Sequence, residues 1–444
     1  RERREDVLRQ AEAVAEAVRE HLGVGEAGPA PIGAPQVGRA VVGLLRMFDA
    51  TNGGFGGGGS GGPKFPQAVF PQFLLDARRV VDPETRRSVD HALRFTLDRM
   101  LAGGIRDHVG GGFHRYAVDA VWLVPHFEKM LYDQALLALV YAEAAEAYRD
   151  AEYAAVARST IAYVLREMTD PRTGAFSSAQ DAEVDGREGL NYLWLPEEFD
   201  AALPEEDAEF ARRVYGLDRG PNFRDPHHPP TPDEPARNVL RLDDRPDRLA
   251  ERFGMEPEAF RARLHEINRR LLAVRMRRRQ PHLDDKAVTA WNGMMIAAIA
   301  RASLLPPPED AEAGGRASES GDPWLEAARR AADFLLEHLT DERVSVRRSW
   351  RGDAGGGQAG PMGVLEDAAW AVAGLVGLAR AVRERGHGAD PEAEAARLLA
   401  GAVQIADRAV EDFGAPDGGF FDTRAGRGRG GGRGGRGGGG GGGG

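Results

Sequence analysis

The feature that most constrains the fold is a helix exit that recurs along the chain. Each copy has an acidic residue, one or more glycines and then a phenylalanine. The copies stand at 49–55, 107–113 and 170–176, with a shorter one at 417–420. The first three phenylalanines are 58 and 63 residues apart, and 244 residues separate the third from the last, close to four such units. About 60 residues is room for two helices and two loops.

The segments between these exits carry apolar residues at helical spacing, and alternation typical of strands is scarce. The clearest series are Val37, Val41, Leu44 and Phe48; Ala157, Ile161, Val164 and Met168; and Trp324, Ala328, Ala331 and Leu335. Pro323 directly after Asp322 is a helix-start signal. The sequence therefore predicts an all-α fold.

Helices in a repeat of this length form αα-hairpins whose glycine-rich exits collect at one end. We predict that they build an (α/α)6 six-hairpin toroid over residues 36–423, with an inner and an outer ring of helices. Inner helices should be apolar nearly all round, as in 287–303 (AVTAWNGMMIAAIARAS), and outer helices should keep a charged face. An open α-solenoid would give the same local pattern.

Three stretches are expected outside the packed core. Residues 1–35 are predicted to be a connector, a charged helix followed by a linker. Residues 220–237 are a proline-rich loop, and 424–444 are a Gly/Arg-rich tail that cannot bury a core and is expected to be disordered. The chain begins with Arg1, and we expect it to be a fragment or processed product that lacks its true N-terminal part.

Composition narrows the classes of function. A net charge of -11 argues against a nucleic-acid partner, since such a surface must neutralise phosphates. Apolar runs are too short for a membrane span, and the N-terminus lacks the apolar core of a signal peptide, so a cytoplasmic protein without a membrane partner is expected. The chain has no cysteine, which excludes thiol redox chemistry by these residues.

Lysine is rare among the 58 basic residues of the chain. The three lysines are Lys64, Lys129 and Lys286. Arginine serves wherever a solvated charge is enough, so the lysines could mark positions that need a compact ammonium, or they could be chance survivors. We predict that they converge on one cleft at the glycine-rich end, together with His126, Asp181 and Asp285.

The densest motif is 103–137 (GGIRDHVGGGFHRYAVDAVWLVPHFEKMLYDQALL). Pro125 is predicted to open a helix on which His126, Lys129 and Asp133 share one face. His114 and His126 are candidates for proton transfer near neutral pH, with Glu128 as a carboxylate partner. The alternative is that Lys129 and Asp133 form an ordinary ion pair while His126 satisfies the helix start.

A second motif, at 174–194, places several carboxylates in a short loop. Asp181, Glu183, Asp185 and Gly186 partly imitate a calcium loop, but its twelfth position is Tyr192 and not glutamate, so no metal is expected. A solvated acidic loop and a carboxylate pair for acid/base work on a sugar are both open.

A third motif, at 282–296, sets Asp284, Asp285 and Lys286 before an apolar helix. The triplet could simply cap the helix. Trp291 and Asn292, however, are residue types that stack on and hydrogen-bond a sugar ring. The full set of candidates is His114, His126, Glu128, Asp181 and Asp285 as catalytic residues, and Lys64, Lys129, Lys286, Trp122, Trp291 and Asn292 as ligand-binding residues, without a cofactor.

These motifs resemble the thioredoxin-domain family of spermatogenesis-associated protein, also called the YyaL type. The matching stretches include PKFP, GGGFHRYAVD, VPHFEKMLYDQALL, TGAFSSAQDAE, NVLRL, QPHLDDKAVTAWNGMMIAAIA and GGFFDT, in order over residues 36–423. The resemblance implies an N-terminal thioredoxin-like domain, absent here, before a toroid similar to N-acylglucosamine 2-epimerases and toroidal glycosidases. We also expect this toroid to lack its last hairpin or two.

The resemblance does not define an activity. By analogy of fold, the site could move a proton beside a sugar carbonyl with His114 and His126, as in an epimerase or isomerase. It could instead hydrolyse a glycoside with two carboxylates. A third possibility is a non-catalytic module that partners the thioredoxin-like domain. The expected partners are therefore a sugar-like small molecule and that domain.

Overall fold

The computed structural model describes residues 2–21, 33–56, 62–225, 236–306, 322–353, 356–386, 388–416 and 418–424. Within these residues the chain folds into fourteen α-helices. They are α1 (Glu2–His21), α2 (Ala34–Met47), α3 (Val69–Ala77), α4 (Pro83–Ala102), α5 (Leu131–Tyr148), α6 (Ala151–Glu167), α7 (Pro196–Ala201), α8 (Glu205–Tyr215), α9 (Pro246–Phe253), α10 (Pro257–Arg275), α11 (Thr289–Ser303), α12 (Pro323–His338), α13 (Leu365–Arg385) and α14 (Pro391–Phe413).

The helices form an inner and an outer layer. Helices α3, α5, α11 and α13 pack on one another in that order, and α6, α12 and α14 pack behind them. The loop between α5 and α6 holds only Arg149 and Asp150, so the two helices are antiparallel neighbours. This arrangement confirms the predicted all-α fold of hairpins in two layers.

Burial separates the two layers as the sequence predicts. In α11, residues from Ala290 to Ser303 are buried on nearly every side, as expected for an inner helix. The outer helices begin instead with an aspartate cap whose carboxylate accepts backbone N–H groups of the first turn. The caps are Asp82 (α4), Asp150 (α6), Asp322 (α12) and Asp390 (α14).

Helices α7 to α10 form a segment outside the inner layer, called the excursion below, and nothing in the sequence indicates it. Inner helix α5 packs directly on α11, so the intervening chain is pushed out of the inner layer. The excursion is fastened to the outer helices by Arg245, which lies 2.7 Å from Asp98 and 2.9 Å from Asp150. Arg261 adds an ion pair of 2.9 Å with Glu152.

Three of the predicted helix exits, at 49–55, 107–113 and 170–176, are loops with a common hydrogen-bond pattern, and Asp417 of the fourth lies outside the described residues. Asp107 accepts backbone N–H groups of Val109 and Gly110 on its Oδ1, and its own N–H donates to the carbonyl of Gly112. Asp49 and Asp170 hold their loops in a similar way. The glycine four residues after each aspartate has a positive φ, which a side chain would strain.

One further exit escapes the sequence pattern. At 341–346 the loop is one residue shorter, with Asp341 accepting from the backbone of Arg343 and Ser345. Val344 has a φ of 59° in this loop, the region that glycine takes in the others. The loop has neither glycine nor phenylalanine, so the motif could not be recognised.

Short antiparallel strands tie the loops together at the glycine-rich end. They are β1 (Tyr116–Ala117), β2 (Pro125–His126), β3 (Lys129–Met130), β4 (Ala179–Gln180), β5 (Glu183–Val184), β6 (Arg187–Glu188), β7 (Leu283–Asp284), β8 (Ala287–Val288), β9 (Ser349–Asp353) and β10 (Gly356–Ala359). The sheets are β1-β2, β3-β4-β7, β5-β6 and β8-β9-β10. Except for the four-residue pairing of β9 with β10, the ladders are two residues long and leave no alternating pattern in the sequence.

Two buried amides fix the inner helices to the exit loops. Gln134 accepts from the backbone N–H of Phe113 at 2.7 Å and donates to its carbonyl at 2.7 Å. Asn292 does the same for Phe176, at 2.9 and 3.0 Å. Both amides stand in the first turn of an inner helix, so this contact is a repeated element of the fold.

Some expectations fall on residues outside the described ranges. They concern the linker at 22–32, residues 226–235 of the proline-rich loop and residues 425–444 of the Gly/Arg-rich tail. Helix α1 covers most of the predicted connector. Among the helices that the structure describes, none has the length and apolar character to cross a membrane.

Candidate functional site

Main-chain ladders bring the three motif-rich segments together. Strands β1 and β2 join 116–117 to 125–126, and the backbone N–H of Lys64 donates to the carbonyl of Ala117 at 2.8 Å. Strand β4 lies between β3 and β7, which carry Lys129 and Asp284. The loops therefore meet at one end of the helices, where the sequence predicts the site.

The predicted helix from Pro125 is wrong. Residues 125–126 and 129–130 are strands, and α5 begins only at Leu131. The cause is tertiary, since these residues pair with β1 and β4. Alternate residues of an extended segment point to opposite sides, so Glu128 reaches the surface while Lys129 enters the interior.

Lys129 belongs to a buried ion cluster, which consists of Asp107, Lys129 and Arg275. Its Nζ donates to Asp107 Oδ2 at 2.8 Å and to the carbonyl of Gly111 at 3.0 Å, and Arg275 lies 2.8 Å from Asp107 Oδ1. Burial alone would raise the pKa of Asp107, but Arg275 and Lys129 hold it well below its usual range. Lys129 has no exposed surface, and its partner is Asp107 and not Asp133.

Lys64 and Trp122 are buried together at the first exit loop. Lys64 Nζ lies 2.6 Å from Asp49 Oδ2 and donates to the carbonyl of Gly53. The indole N–H of Trp122 donates to the carbonyl of Asn52 at 3.0 Å. The ammonium lies 5.6 Å from the centre of the Trp122 ring. In this structure both residues brace a loop.

His114 is also buried. Its Nδ1 is 3.0 Å from the carbonyl of Phe127 and donates to it, and its ring packs edge-on against Phe127 and Tyr192. Burial and the nearby Lys129 lower the pKa of His114 to about 3. The imidazole is therefore neutral at physiological pH and anchors the segment that carries His126 and Glu128.

A carboxyl cluster lies on the partly exposed side of the same segment; it consists of Arg115, His126, Glu128, Asp133 and Glu188. Arg115 Nη1 is 2.7 Å from Glu128 Oε2. His126 donates from Nδ1 to Glu188 Oε1 at 2.7 Å, and its Nε2 lies 3.7 Å from Glu128 Oε2. Unlike the buried ion cluster, Arg115, His126, Glu128 and Glu188 are partly exposed to solvent.

Asp133 is the unusual member of the carboxyl cluster. It stands in the first turn of α5, and its Oδ2 is buried without a hydrogen-bond partner. Burial, reinforced by the charge of Glu128 and opposed by Arg115, raises the pKa of Asp133 to about 8. At neutral pH this carboxyl therefore holds a proton.

Aromatic rings flank the cluster. Tyr132 and Trp291 lie with ring centres 5.0 Å apart, and both are partly buried at the starts of adjacent inner helices. Tyr116 stacks on His126 at 5.0 Å. Asn292, which was predicted to bind ligand beside Trp291, is fully buried and occupied with the backbone of Phe176 and Val288.

The remaining candidates lie on the surface. Asp181 is exposed, with His282 at 3.8 Å as its neighbour. Asp285 is exposed beside Arg351 at 3.6 Å, and Lys286 is 3.2 Å from Asp284. Each lysine thus has its own acidic partner, and Lys64 and Lys129 are buried while Lys286 is partly exposed. Within the described chain, no group of three His, Asp or Glu side chains is arranged to hold a metal.

Sequence reasoning missed Arg115 and the acid role of Asp133, and it noted Glu188 only as one of the carboxylates of the acidic loop at 174–194. A signal for Asp133 was present, since it is a lone carboxylate in the otherwise apolar first turns of α5, LYDQALLALV. A charge in that setting must be paired or neutralised. Arg115 carried no comparable signal, and nothing in the sequence indicated that Glu188 of the acidic loop would meet His126.

Comparison with known proteins supports kinship over most of the chain. No family model matches. Spermatogenesis-associated protein 20 of Rattus norvegicus is 34% identical over 389 residues, which cover 82% of this chain and 47% of that protein. The chain thus spans about half the length of the curated relatives it matches.

Among solved structures, a sugar epimerase from a ruminal bacterium is 14% identical, with a TM-score of 0.35, and covers 88% of this chain and 90% of its own. A family 76 glycoside hydrolase from a Bacteroides thetaiotaomicron strain is 8% identical, with a TM-score of 0.45, covering 86% and 58%. Structural similarity this low supports no conclusion about the chain beyond the helix packing described above. Over most of its length, this chain is similar in sequence to spermatogenesis-associated protein 20 of Rattus norvegicus and of Homo sapiens.

Proposed function

We propose that the carboxyl cluster is an acid/base site for a sugar or other polyol, in which Asp133 donates a proton and Glu128 accepts one. The observation that carries this proposal is the contrast between the two carboxyl groups. Asp133 keeps its proton up to a pKa of about 8, whereas Glu128 is ion-paired with Arg115 at 2.7 Å. Carboxyl groups whose environments differ in this way are suited to act as acid and base.

The surroundings of Asp133 fit a proton donor. Its Oδ2 has no hydrogen-bond partner in the protein, so the protonated carboxyl has hydrogen-bonding capacity that no protein group uses. A general acid works best when its pKa lies near the operating pH. A pKa of about 8 meets that condition at neutral pH.

The aromatic groups support a sugar as the ligand class. Tyr132 and Trp291 provide apolar ring surface with polar edges, beside charged donors and acceptors. Sites of mixed apolar and convergent polar character are those that bind small ligands. A sugar ring offers both an apolar face and several hydroxyl groups to such a surface.

The carboxyl pair is a better acid/base candidate than the two histidines. His114 is buried, its Nδ1 is engaged with Phe127, and its lowered pKa of about 3 keeps it neutral. His126 is accessible, and we assign it the task of holding Glu188 and Glu128 in place.

We propose that the thioredoxin-like domain implied by the family resemblance is a separate unit. Because this chain has no cysteine, any thiol chemistry would belong to that domain.

The test begins with a panel of reducing sugars, alditols and aryl glycosides, screened by thermal shift and followed by NMR for conversion. A ligand that binds the folded state raises its melting temperature. For a converted sugar, Asp133→Asn should slow turnover by roughly 10²- to 10⁴-fold while binding persists. The wild-type rate should fall as pH rises through about 8, since Asp133 then loses its proton.

Asp181→Asn is the matched control, because Asp181 is an exposed carboxylate of the neighbouring loop. It should leave turnover unchanged. Equal turnover in wild type and Asp133→Asn, or a rate that stays level above pH 8, would refute the acid role of Asp133. A panel in which no sugar or polyol binds would refute the ligand class.

A further inference from the structure

A cleft of about 1060 Å³ opens beside the third motif, between its Asp-Asp-Lys triplet and the hairpin of β9 and β10. Asp285 and Lys286 line one side. Ser349, Arg351 and Gln358 line the hairpin side. This volume lies at the upper end of the range for small-molecule sites, so it can hold more than one sugar ring.

The register of the hairpin explains which side chains face the cleft. Gln358 pairs with Arg351, and Ala359 pairs with Trp350. Residues two apart along a strand share a face, as do residues paired across the ladder. Ser349, Arg351 and Gln358 therefore lie on one face of the hairpin, and Trp350 lies on the other.

The opposite face anchors the hairpin. The indole of Trp350 packs against Phe334 at 5.2 Å and His338 at 5.9 Å. The indole also packs directly against Gly352 and Gly357. A Cβ added at these glycines would lie 1.9 and 1.6 Å, respectively, from the Trp350 ring. The two glycines are thus required by the packing of Trp350, and the polar face stays turned towards the cleft.

The lining selects a neutral ligand that both donates and accepts hydrogen bonds. Lys286 and Arg351 supply donors, and Asp284 balances them at 3.2 and 2.7 Å. Asp285 adds a second acceptor, and Ser349 can do either. An anion would meet the carboxylate of Asp285 in the cleft. Hydroxyl groups of a carbohydrate match this mixture.

The third motif, which lines the cleft, shares a sheet with the segment that leads into α5. In the sheet β3-β4-β7, Met130 pairs with Ala179, and Ala179 pairs with Asp284. Two strand spacings separate the start of α5 from the cleft, about 10 Å. A separation of this size is longer than one sugar ring, so only a linear chain of rings could contact both places.

We propose that the cleft is a binding subsite for the distal rings of an oligosaccharide, so that the ligand of this site is a glycan chain and not a monosaccharide. The inference rests on the proposed function, because the reacting ring would lie at the carboxyl cluster. Lys286, Arg351 and Ser349 would bind hydroxyl groups of the outer rings without contact to the reacting one.

The experiment measures affinity against chain length. Glucose, mannose and N-acetylglucosamine, with linear oligomers of each up to four rings, are titrated against the protein by calorimetry. For the sugar that binds, affinity should rise about tenfold or more between one and three rings, the gain expected from one or two hydrogen bonds to charged groups. Arg351→Ala and Lys286→Ala should remove most of that gain and leave monomer binding unchanged.

Arg380→Ala is the control, since Arg380 is an exposed, ion-paired arginine on α13, away from the cleft. Affinity that is level with chain length, or an Arg351→Ala variant that weakens monomer and trimer alike, would overturn the glycan proposal while the acid/base site stands. Failure of every sugar to bind would overturn both. Loss of turnover in Asp133→Asn with chain-length dependence intact would support the separation into two subsites.

Discussion

Two charged clusters lie on opposite sides of one short segment and are built for different tasks. In the buried ion cluster, Asp107 holds Lys129 and Arg275 at 2.8 Å each, and none of the three is open to solvent. In the carboxyl cluster, Asp133 has an oxygen without a partner and a pKa raised to about 8. Opposite charges that pair with one another in the interior brace the fold, whereas a neutral carboxyl with an unpaired oxygen beside partly exposed charged groups is a candidate site.

The comparison also explains the rarity of lysine. Lys129 lies between the rings of Tyr163 and Tyr192, 3.9 and 4.8 Å from their centres. Lys64 is similarly enclosed by Asp49 and Trp122. A compact ammonium fits such spaces where a guanidinium would not. Lys64 and Lys129 therefore support the inference that lysine persists where an arginine would not fit. The spaces that they fill, however, are in the protein interior and not in a ligand-binding cleft.

The largest effect should come from Asp107→Asn. This exchange leaves Lys129 and Arg275 buried without a compensating charge, and we expect the free energy of unfolding to fall by about 3–5 kcal/mol. Urea denaturation followed by circular dichroism measures it. A loss below about 1 kcal/mol would show that the buried ion cluster is not the brace described above. Asp181→Asn, at an exposed carboxylate, is the control and should be neutral.

A smaller effect of opposite sign should come from Asp133→Asn. The folded state keeps the Asp133 proton to a pKa of about 8, whereas 3.8 is its ordinary value, so wild-type stability falls as pH rises between these values. The amide has no proton to lose. Between pH 5 and pH 8, the free energy of unfolding of the variant should rise by about 2 kcal/mol relative to that of the wild type, after allowance for partial exposure of the side chain. Parallel stability curves over this range would contradict the raised pKa.

The smallest effect should come from Lys286→Arg. Lys286 is partly exposed and ion-paired with Asp284 at 3.2 Å, a contact that a guanidinium can also make. Its melting temperature should match that of the wild type, with a stability change within about 0.5 kcal/mol. The same exchange at Lys129 provides the contrast, because the larger group must displace Tyr163 or Tyr192. If the exchange to arginine leaves stability unchanged at both Lys129 and Lys286, the proposed difference between the buried and the partly exposed lysine is wrong.

Local chemistry was enough to predict much of the fold. The periodic segments at α2, α6 and α12 and the exits after Asp49, Asp107 and Asp170 depend on neighbouring residues only, so the sequence reveals them. The start of α5 was misplaced because Pro125 favours a helix start locally, while its pairing partner Ala117 is eight residues away in a ladder. The excursion α7–α10 has ordinary helical patterns and gave no sign that it leaves the inner layer.

The site was predicted less well than the fold. Its location at the glycine-rich end follows from the repeat, and His126, Glu128 and Trp291 do lie there, partly open to solvent. The burial of Lys64, Lys129 and Asn292 could not be read from the sequence, since it depends on which side of an extended strand or helix turns inward. The raised pKa of Asp133, by contrast, could have been predicted, because burial among apolar residues disfavours the charged form of a carboxylate.

The direct packing of α5 on α11 has a consequence for how the chain folds. The seam joins residues 131–148 to residues 289–303, whereas most other helix contacts join neighbours in sequence. Local hairpins form early because closing a short loop loses little entropy, and a seam across some 140 residues loses more. Folding should therefore begin in two separate groups of hairpins, with the joining of the halves as the late and slow event.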